Sequence, residues 1–185
     1  MKKLIDWAAK THQQAVQILP INDTTITHTW MDSYPYNSIS IYAFHPMYID
    51  LNQLGKMKDK EALAVFEARR QELNALPQID YEAVNNAKRA YLKVMFQQTG
   101  RKVLASDEFK RFFEENEHWL LPYAAFSYLR DLYGTPDFSQ WPEHTEYKAE
   151  EIAALCAPDS SCYEEIAFYT THSTIYISNY LMQEL

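Results

Sequence analysis

The chain has 185 residues, 47% of them hydrophobic and 15% aromatic, and a formal net charge of −8. That much apolar material supports one core, and the acidic balance argues against a nucleic-acid partner. No apolar run reaches the roughly 20 residues of a membrane span, and Asp6 and Lys10 break any signal-peptide core. The expected setting is therefore the cytoplasm, without a membrane, and with Cys156 and Cys162 as free thiols.

In chain order, residues 2–11 predict a helix with Leu4, Ile5, Ala8 and Ala9 on one stripe. It opens without an N-cap residue, as a segment lying inside a larger fold would. Residues 16–19 form the clearest strand candidate and residues 39–44 a weaker one. Between them runs a polar and aromatic loop, Asp32-Ser33-Tyr34-Pro35-Tyr36-Asn37-Ser38. Loops that follow buried strands are where barrel and open-sheet enzymes carry their sites. Residues 46–54 predict a short helix closed by Gly55, and residues 58–76 a charged amphipathic helix closed by Pro77. Asp80 caps a helix over 81–99, and Ser106 caps the next, with Phe109, Phe112 and Phe113 at helical spacing. Pro122 is expected to kink or restart that helix before it ends at Gly134. A loop with Trp141-Pro142, a helix over 149–156 and a further helix start complete the pattern. The only three glycines, Gly55, Gly100 and Gly134, each follow a helical stretch, as residues just past a helix end do.

Tyr36 is the leading candidate for a binding role, as a ring and hydroxyl at the wall of a sugar subsite or as a packed turn residue. Ser33 and Asp32 either hydrogen-bond sugar hydroxyls or cap the loop. Glu115 and His118 have the Glu-x-x-His spacing of carboxylate-bridged metal bundles, but no second copy exists, so a solvated face is expected. His12, His28, His45, His144 and His172 have no partners at ligand spacing, and no metal site is expected. There is no Gly-x-Ser-x-Gly elbow and no phosphate-cradling glycine loop. Spacing singles out no carboxylate pair for glycoside chemistry. The residues thus offer a binding wall and no catalyst.

Several segments in order resemble glycoside hydrolase family 77, the 4-α-glucanotransferases (amylomaltases, disproportionating enzymes). Leu4-Ile5-Asp6-Trp7-Ala8 and Gln17-Ile18-Leu19-Pro20 look like its first helix and next barrel strand. Asp32-Ser33-Tyr34-Pro35-Tyr36 resembles its Asp-Ser-Pro-Tyr with Tyr34 inserted, and Ala43-Phe44-His45-Pro46 resembles its Ala-Gly-Asn-Pro with His45 in place of Asn. Trp119-Leu120-Leu121-Pro122-Tyr123-Ala124-Ala125-Phe126, Trp141-Pro142 and Glu165-Ile166-Ala167-Phe168-Tyr169 are similar to its helical insertion. The wording from His28 to Tyr34 is similar to that of the family's larger, plant-disproportionating-enzyme-like bacterial branch.

The resemblance implies an α/β fold: the N-terminal part of a (β/α)8 TIM barrel carrying a large helical insertion, in a chain that is itself mostly α-helical. Residues 1–54 would hold the first barrel elements and the substrate loop, and 55–169 the insertion. The implied activity is transfer of 4-α-glucan segments between maltooligosaccharides with retention, without cofactor. The family's nucleophile and acid/base carboxylates lie on later strands than this chain reaches, so no catalytic residue carries over. Tyr36, and less directly Ser33 and Asp32, carry over as substrate wall, and the chain by itself is expected to be inactive. The tail, residues 170–185, carries a β-branched cluster (Thr170, Thr171, Thr174, Ile175, Ile177) and diverges from the family; since a one-base slip permits a family-like helix, it is either an out-of-frame reading in a truncated product or a genuine divergent terminus. The competing function is a non-enzymatic helical module that binds glucans or a protein partner.

Overall fold

The structure is a computed structural model and describes residues 2–171. Side chains set where its long helices begin. Asp59, Asp80 and Ser106 each accept the backbone N–H three residues on, from Ala62, Ala83 and Phe109, at 2.9, 2.9 and 3.2 Å. Each cap satisfies a donor that the first helical turn leaves without an intrahelical partner. The helices are α1 Lys2–Lys10, α2 Lys60–Asn74, α3 Tyr81–Leu104, α4 Asp107–Tyr133 and α5 Ala149–Leu155. A further helix, α6, covers residues 163–171.

Two expectations about the long helices need correction. α3 does not end at Gly100 but runs on to Leu104. Gly100 is buried because the Phe96 ring lies against it: a Cβ there would meet Phe96 Cδ2 at 2.6 Å. The glycine makes room for a ring rather than stopping a helix. α4 likewise runs on past Pro122, so of the kink or restart expected there the restart is not met. Proline forfeits one helical hydrogen bond, but the neighbouring Leu120, Tyr123, Ala124 and Ala125 are all buried, and that packing holds the helix together. Gly134 does close α4, in the left-handed conformation at φ 69°.

The core lies where α3, α4, α5 and α6 meet. Leu92, Ala124, Ala125, Ile152, Ile166 and Phe168 form its centre, and Ile49 enters from the segment before α2. A second cluster joins Trp119, Leu120 and Tyr123 of α4 to Ala43, with Phe112, Phe113 and Ile39 packed against it. The aromatic stripe foreseen on α4 is therefore core.

No strand forms among the described residues. Residues 16–19 are irregular, with Val16, Ile18 and Leu19 exposed. Residues 39–44 contribute only one antiparallel bridge, Asn22 to Phe44. A strand exists only through its ladder partners, and the described residues offer none to residues 16–19. α1 has a similarly uncovered surface: Ala8 is buried, whereas Leu4, Ile5 and Trp7 are exposed. The α/β expectation is thus not met within the described residues, which are mostly helical. The helix expected over 46–54 is instead two 3-10 turns, Pro46–Tyr48 and Leu51–Leu54, capped by His45 and Asp50.

Thr170 and Thr171 do not interrupt α6. Both are buried, and their hydroxyls donate to the carbonyls of Ala167 and Phe168 at 2.8 and 2.9 Å. Those bonds leave neither buried hydroxyl unsatisfied, so burial against the core carries the two threonines in helical form. The rest of the tail, 172–185, lies outside the described residues.

Candidate functional site

Residues 20–45 fold into one long loop laid across α3 and α4. Its two ends are tied together by Asp23 N–H to Ala43 O (2.9 Å), His45 N–H to Ile21 O (3.0 Å) and Ile39 N–H to Asp23 O (2.8 Å). Its middle is a tight turn built around Asp32. One Asp32 carboxylate oxygen accepts from the Thr27 hydroxyl and N–H, both at 3.0 Å, and the other from His28 N–H at 2.7 Å. Asp32 is 3% exposed. Its place is therefore inside the turn, which matches the capping alternative. Ser33 closes the 3-10 turn Trp30–Ser33 and is exposed. Tyr36 is 62% and Tyr34 61% exposed. Their rings stand 5.6 Å apart and tilted by 55°, an apolar tip on a hydrogen-bonded base.

Helix side chains hold this loop from beneath. Tyr81, the first residue of α3, donates its hydroxyl to Asp32 O at 2.8 Å, and Thr24 Oγ1 donates to the same carbonyl at 2.5 Å. His45 Nδ1 accepts from Met47 N–H at 3.1 Å, which leaves Nε2 protonated and donating to the Tyr81 hydroxyl at 2.6 Å. Burial lowers the pKa of His45 from its ordinary 6.5, against the opposing pull of Asp23 and Asp32. Tyr123 of α4 donates to Asp23 Oδ2 at 2.7 Å, and burial together with that carboxylate drives the phenol well up. Lys88 of α3 donates to Met47 O and Ile49 O at 2.6 and 3.0 Å, fixing the following segment.

A second polar junction centres on Asp131 of α4. Its carboxylate receives His28 Nε2 at 2.7 Å, Arg130 Nε at 2.9 Å and the Tyr169 hydroxyl at 2.5 Å, and it pairs with Arg89 of α3. Burial alone would raise its pKa, but the His28 hydrogen bond, the Arg130 charge, Tyr169 and Arg89 outweigh it. They hold the carboxyl well below the usual carboxylate range. Arg130 also donates to Thr25 O.

The loop thus brings Ser33 and Tyr36 to one exposed edge and turns Asp32 inward. The carboxylates beneath it, Asp23, Asp32 and Asp131, are each engaged in hydrogen bonds. Sequence reasoning gave no role to Tyr81, Arg89 or Asp131, took Tyr123 only as part of a family-like segment, and set His28 and His45 aside as histidines without partners at ligand spacing. Their partners are remote in sequence, 103 positions for His28 to Asp131 and 36 for His45 to Tyr81, and no local spacing encodes that. Glu115 and His118 are exposed on α4, and among the described residues no group of three His, Cys, Asp or Glu is placed to hold a metal ion. Among the same residues, no helix is long and apolar enough to cross a membrane.

A family model described as 4-alpha-glucanotransferase, glycoside hydrolase family 77, matches residues 1–178. The chain is 36% identical to the 4-alpha-glucanotransferase DPE2 of Oryza sativa subsp. japonica over 190 residues, which cover 100% of this chain and 19% of the rice protein. It is 31% identical to the 4-alpha-glucanotransferase of Chlamydia pneumoniae, over 88% of this chain and 32% of that protein. It is 34% identical to that of Chlamydia caviae, over 78% of this chain and 27% of that protein. The chain therefore spans about a fifth to a third of the length of these curated relatives. No solved structure matches it. The matched span takes in the aromatic-tipped loop, both polar junctions and α1 to α6, and on that match the chain belongs to the 4-alpha-glucanotransferase family, glycoside hydrolase family 77.

Proposed function

We propose that this chain supplies the glucan-facing rim of an enzyme that transfers 4-α-glucan segments between maltooligosaccharides. The observation that carries this reading is the pairing of family membership across residues 1–178 with an exposed tyrosine tip in the family's Asp-Ser-Pro-Tyr position. Pyranose rings present apolar faces that stack on aromatic side chains, while their hydroxyls need nearby donors and acceptors. Tyr36 offers the face, Ser33 the hydroxyl, and Asp32 keeps the turn in shape from within.

In this reading α1 and residues 16–19 are elements of a (β/α)8 barrel, and α2 to α6 belong to a helical insertion. The exposed Leu4, Ile5, Trp7, Val16, Ile18 and Leu19 support it, since barrel helices and strands bury such side chains against neighbouring units. In this reading the nucleophile and the acid come from outside this chain, and the carboxylates beneath the loop, Asp23, Asp32 and Asp131, serve structural hydrogen bonds. A retaining transfer needs two carboxyl groups roughly 5–5.5 Å apart facing the sugar.

Calorimetric titration with maltoheptaose tests the reading. The chain is expected to bind, and Tyr36→Ala to weaken binding by roughly three- to tenfold, the worth of one aromatic contact. No binding, or equal binding by Tyr36→Ala, contradicts it.

A further inference from the structure

We propose that Asp131 is a positioning residue for the glucan-facing loop and that it acts on Tyr36 through His28. This rests on the glucan-binding reading above.

The geometry starts at His28, whose backbone adopts φ 60° although it carries a side chain. For a residue other than glycine that conformation is strained, and it persists only where surrounding contacts determine it. Two contacts do so. The His28 N–H donates to Asp32 at 2.7 Å, and the ring Nε2 meets Asp131 Oδ1 at 2.7 Å. The left-handed residue therefore sends its backbone into the turn and its side chain down to α4. The Asp131 end is rigid in its own right, fixed by Arg130 on α4, Arg89 on α3 and Tyr169 on α6.

The tip has little support of its own. Tyr34 N–H reaches Met31 O at 3.5 Å, and Asn37 N–H reaches Tyr34 O at 3.3 Å. The direction of the Tyr34 and Tyr36 rings is inherited from the turn 27–33. Besides the contact of the Trp30 ring with Tyr81, hydrogen bonds tie the turn and the residues leading into it to the helices: Arg130 on Thr25 O, Tyr81 on Asp32 O, and Asp131 on His28. The first two grip main-chain carbonyls. Of these three hydrogen bonds only the third reaches a side chain, that of the left-handed residue in the turn. Releasing it leaves the core packing of α3, α4 and α6 intact but lets the turn rotate, so ordering the tip would have to be done by the ligand.

The test uses His28→Asn, Asp131→Asn, Tyr36→Ala and the double variant His28→Asn with Tyr36→Ala. Asparagine tolerates the left-handed conformation, so His28→Asn removes the ring without adding backbone strain. Hydrogen exchange is read at the amides of residues 27–33 and at the α3–α4 core, and maltoheptaose affinity is read in parallel. His28→Asn is expected to speed loop exchange by about tenfold, as loss of one charge-assisted hydrogen bond does, and to leave core exchange unchanged. It is expected to weaken maltoheptaose binding by roughly three- to tenfold, and the double variant to bind no more weakly than Tyr36→Ala alone. Unchanged loop exchange in His28→Asn overturns the proposal. So does equal acceleration of loop and core, or an additive loss in the double variant. Asp131→Asn is expected to reproduce the loop effect and also to lower the melting temperature, because Arg89 and Arg130 lose their counter-charge. Slower loop exchange in that variant than in His28→Asn counts against the proposal. If the unaltered chain binds no maltoheptaose, the glucan reading fails, while loop exchange still decides the latch.

Discussion

His45 shows how one buried side chain makes the loop sensitive to acid. Met47 N–H donates to Nδ1 and Nε2 donates to Tyr81, so the neutral ring is fully bonded. Burial holds its folded pKa below the ordinary 6.5. Below 6.5 the unfolded chain then binds more protons than the folded one, so stability falls as pH drops through that window and is fully present above it. Asp131 acts with the same sign but lower down, because its depressed pKa withdraws stability only as pH falls through and below the ordinary 3.8. Melting temperatures between pH 7.5 and 5.5 span the His45 window, and a variant at that position assigns the change. His45→Asn keeps an acceptor for Met47 N–H and removes the titration, so its melting temperature is expected to change less over this range than that of the unaltered chain. An equal acid drop in both would show that another group is responsible.

At the scale of elements, α3 supplies a sharp case at Gly100. In an open helix Gly→Ala stabilises by about 1 kcal/mol. Here the new methyl would overlap the Phe96 ring, which is itself packed edge-on to Phe168 at 5.6 Å. Overpacking of that kind costs roughly 1–3 kcal/mol and outweighs the propensity gain. Gly100→Ala is expected to lower the urea midpoint, and a higher midpoint would show that Phe96 swings away freely. The same element explains what local pattern reveals. Asp80 and Ser106 were readable as caps because their partners lie three residues away, whereas Asp59, which caps α2 in the same way, falls inside the helix expected over 58–76. Gly100 was not readable as an interior residue, because its reason is a ring one turn earlier that must also meet α6. Pro122 was misleading for a related reason, since tertiary packing around Tyr123 and Ala124 overrides a local helix breaker. Residues 16–19 carry a strand pattern, and the pattern alone cannot supply the ladder.

For the whole molecule, the aromatic loop was legible because its residues are contiguous, whereas the framework beneath it was not. His28 and Asp131, or Tyr123 and Asp23, meet only once α4 packs under the loop. Family membership and geometry meet at the same place: an exposed Tyr34–Tyr36 tip above carboxylates that are all engaged. In the proposed function such a rim orients a sugar chain, while attack on the anomeric carbon and the proton for the leaving oxygen come from elsewhere. The most direct measurement is product analysis after incubating the purified 185-residue chain with maltotriose. The account predicts that maltotriose is recovered unchanged at concentrations where binding to the chain is saturated. Conversion of maltotriose into longer and shorter oligosaccharides by this chain alone would contradict it.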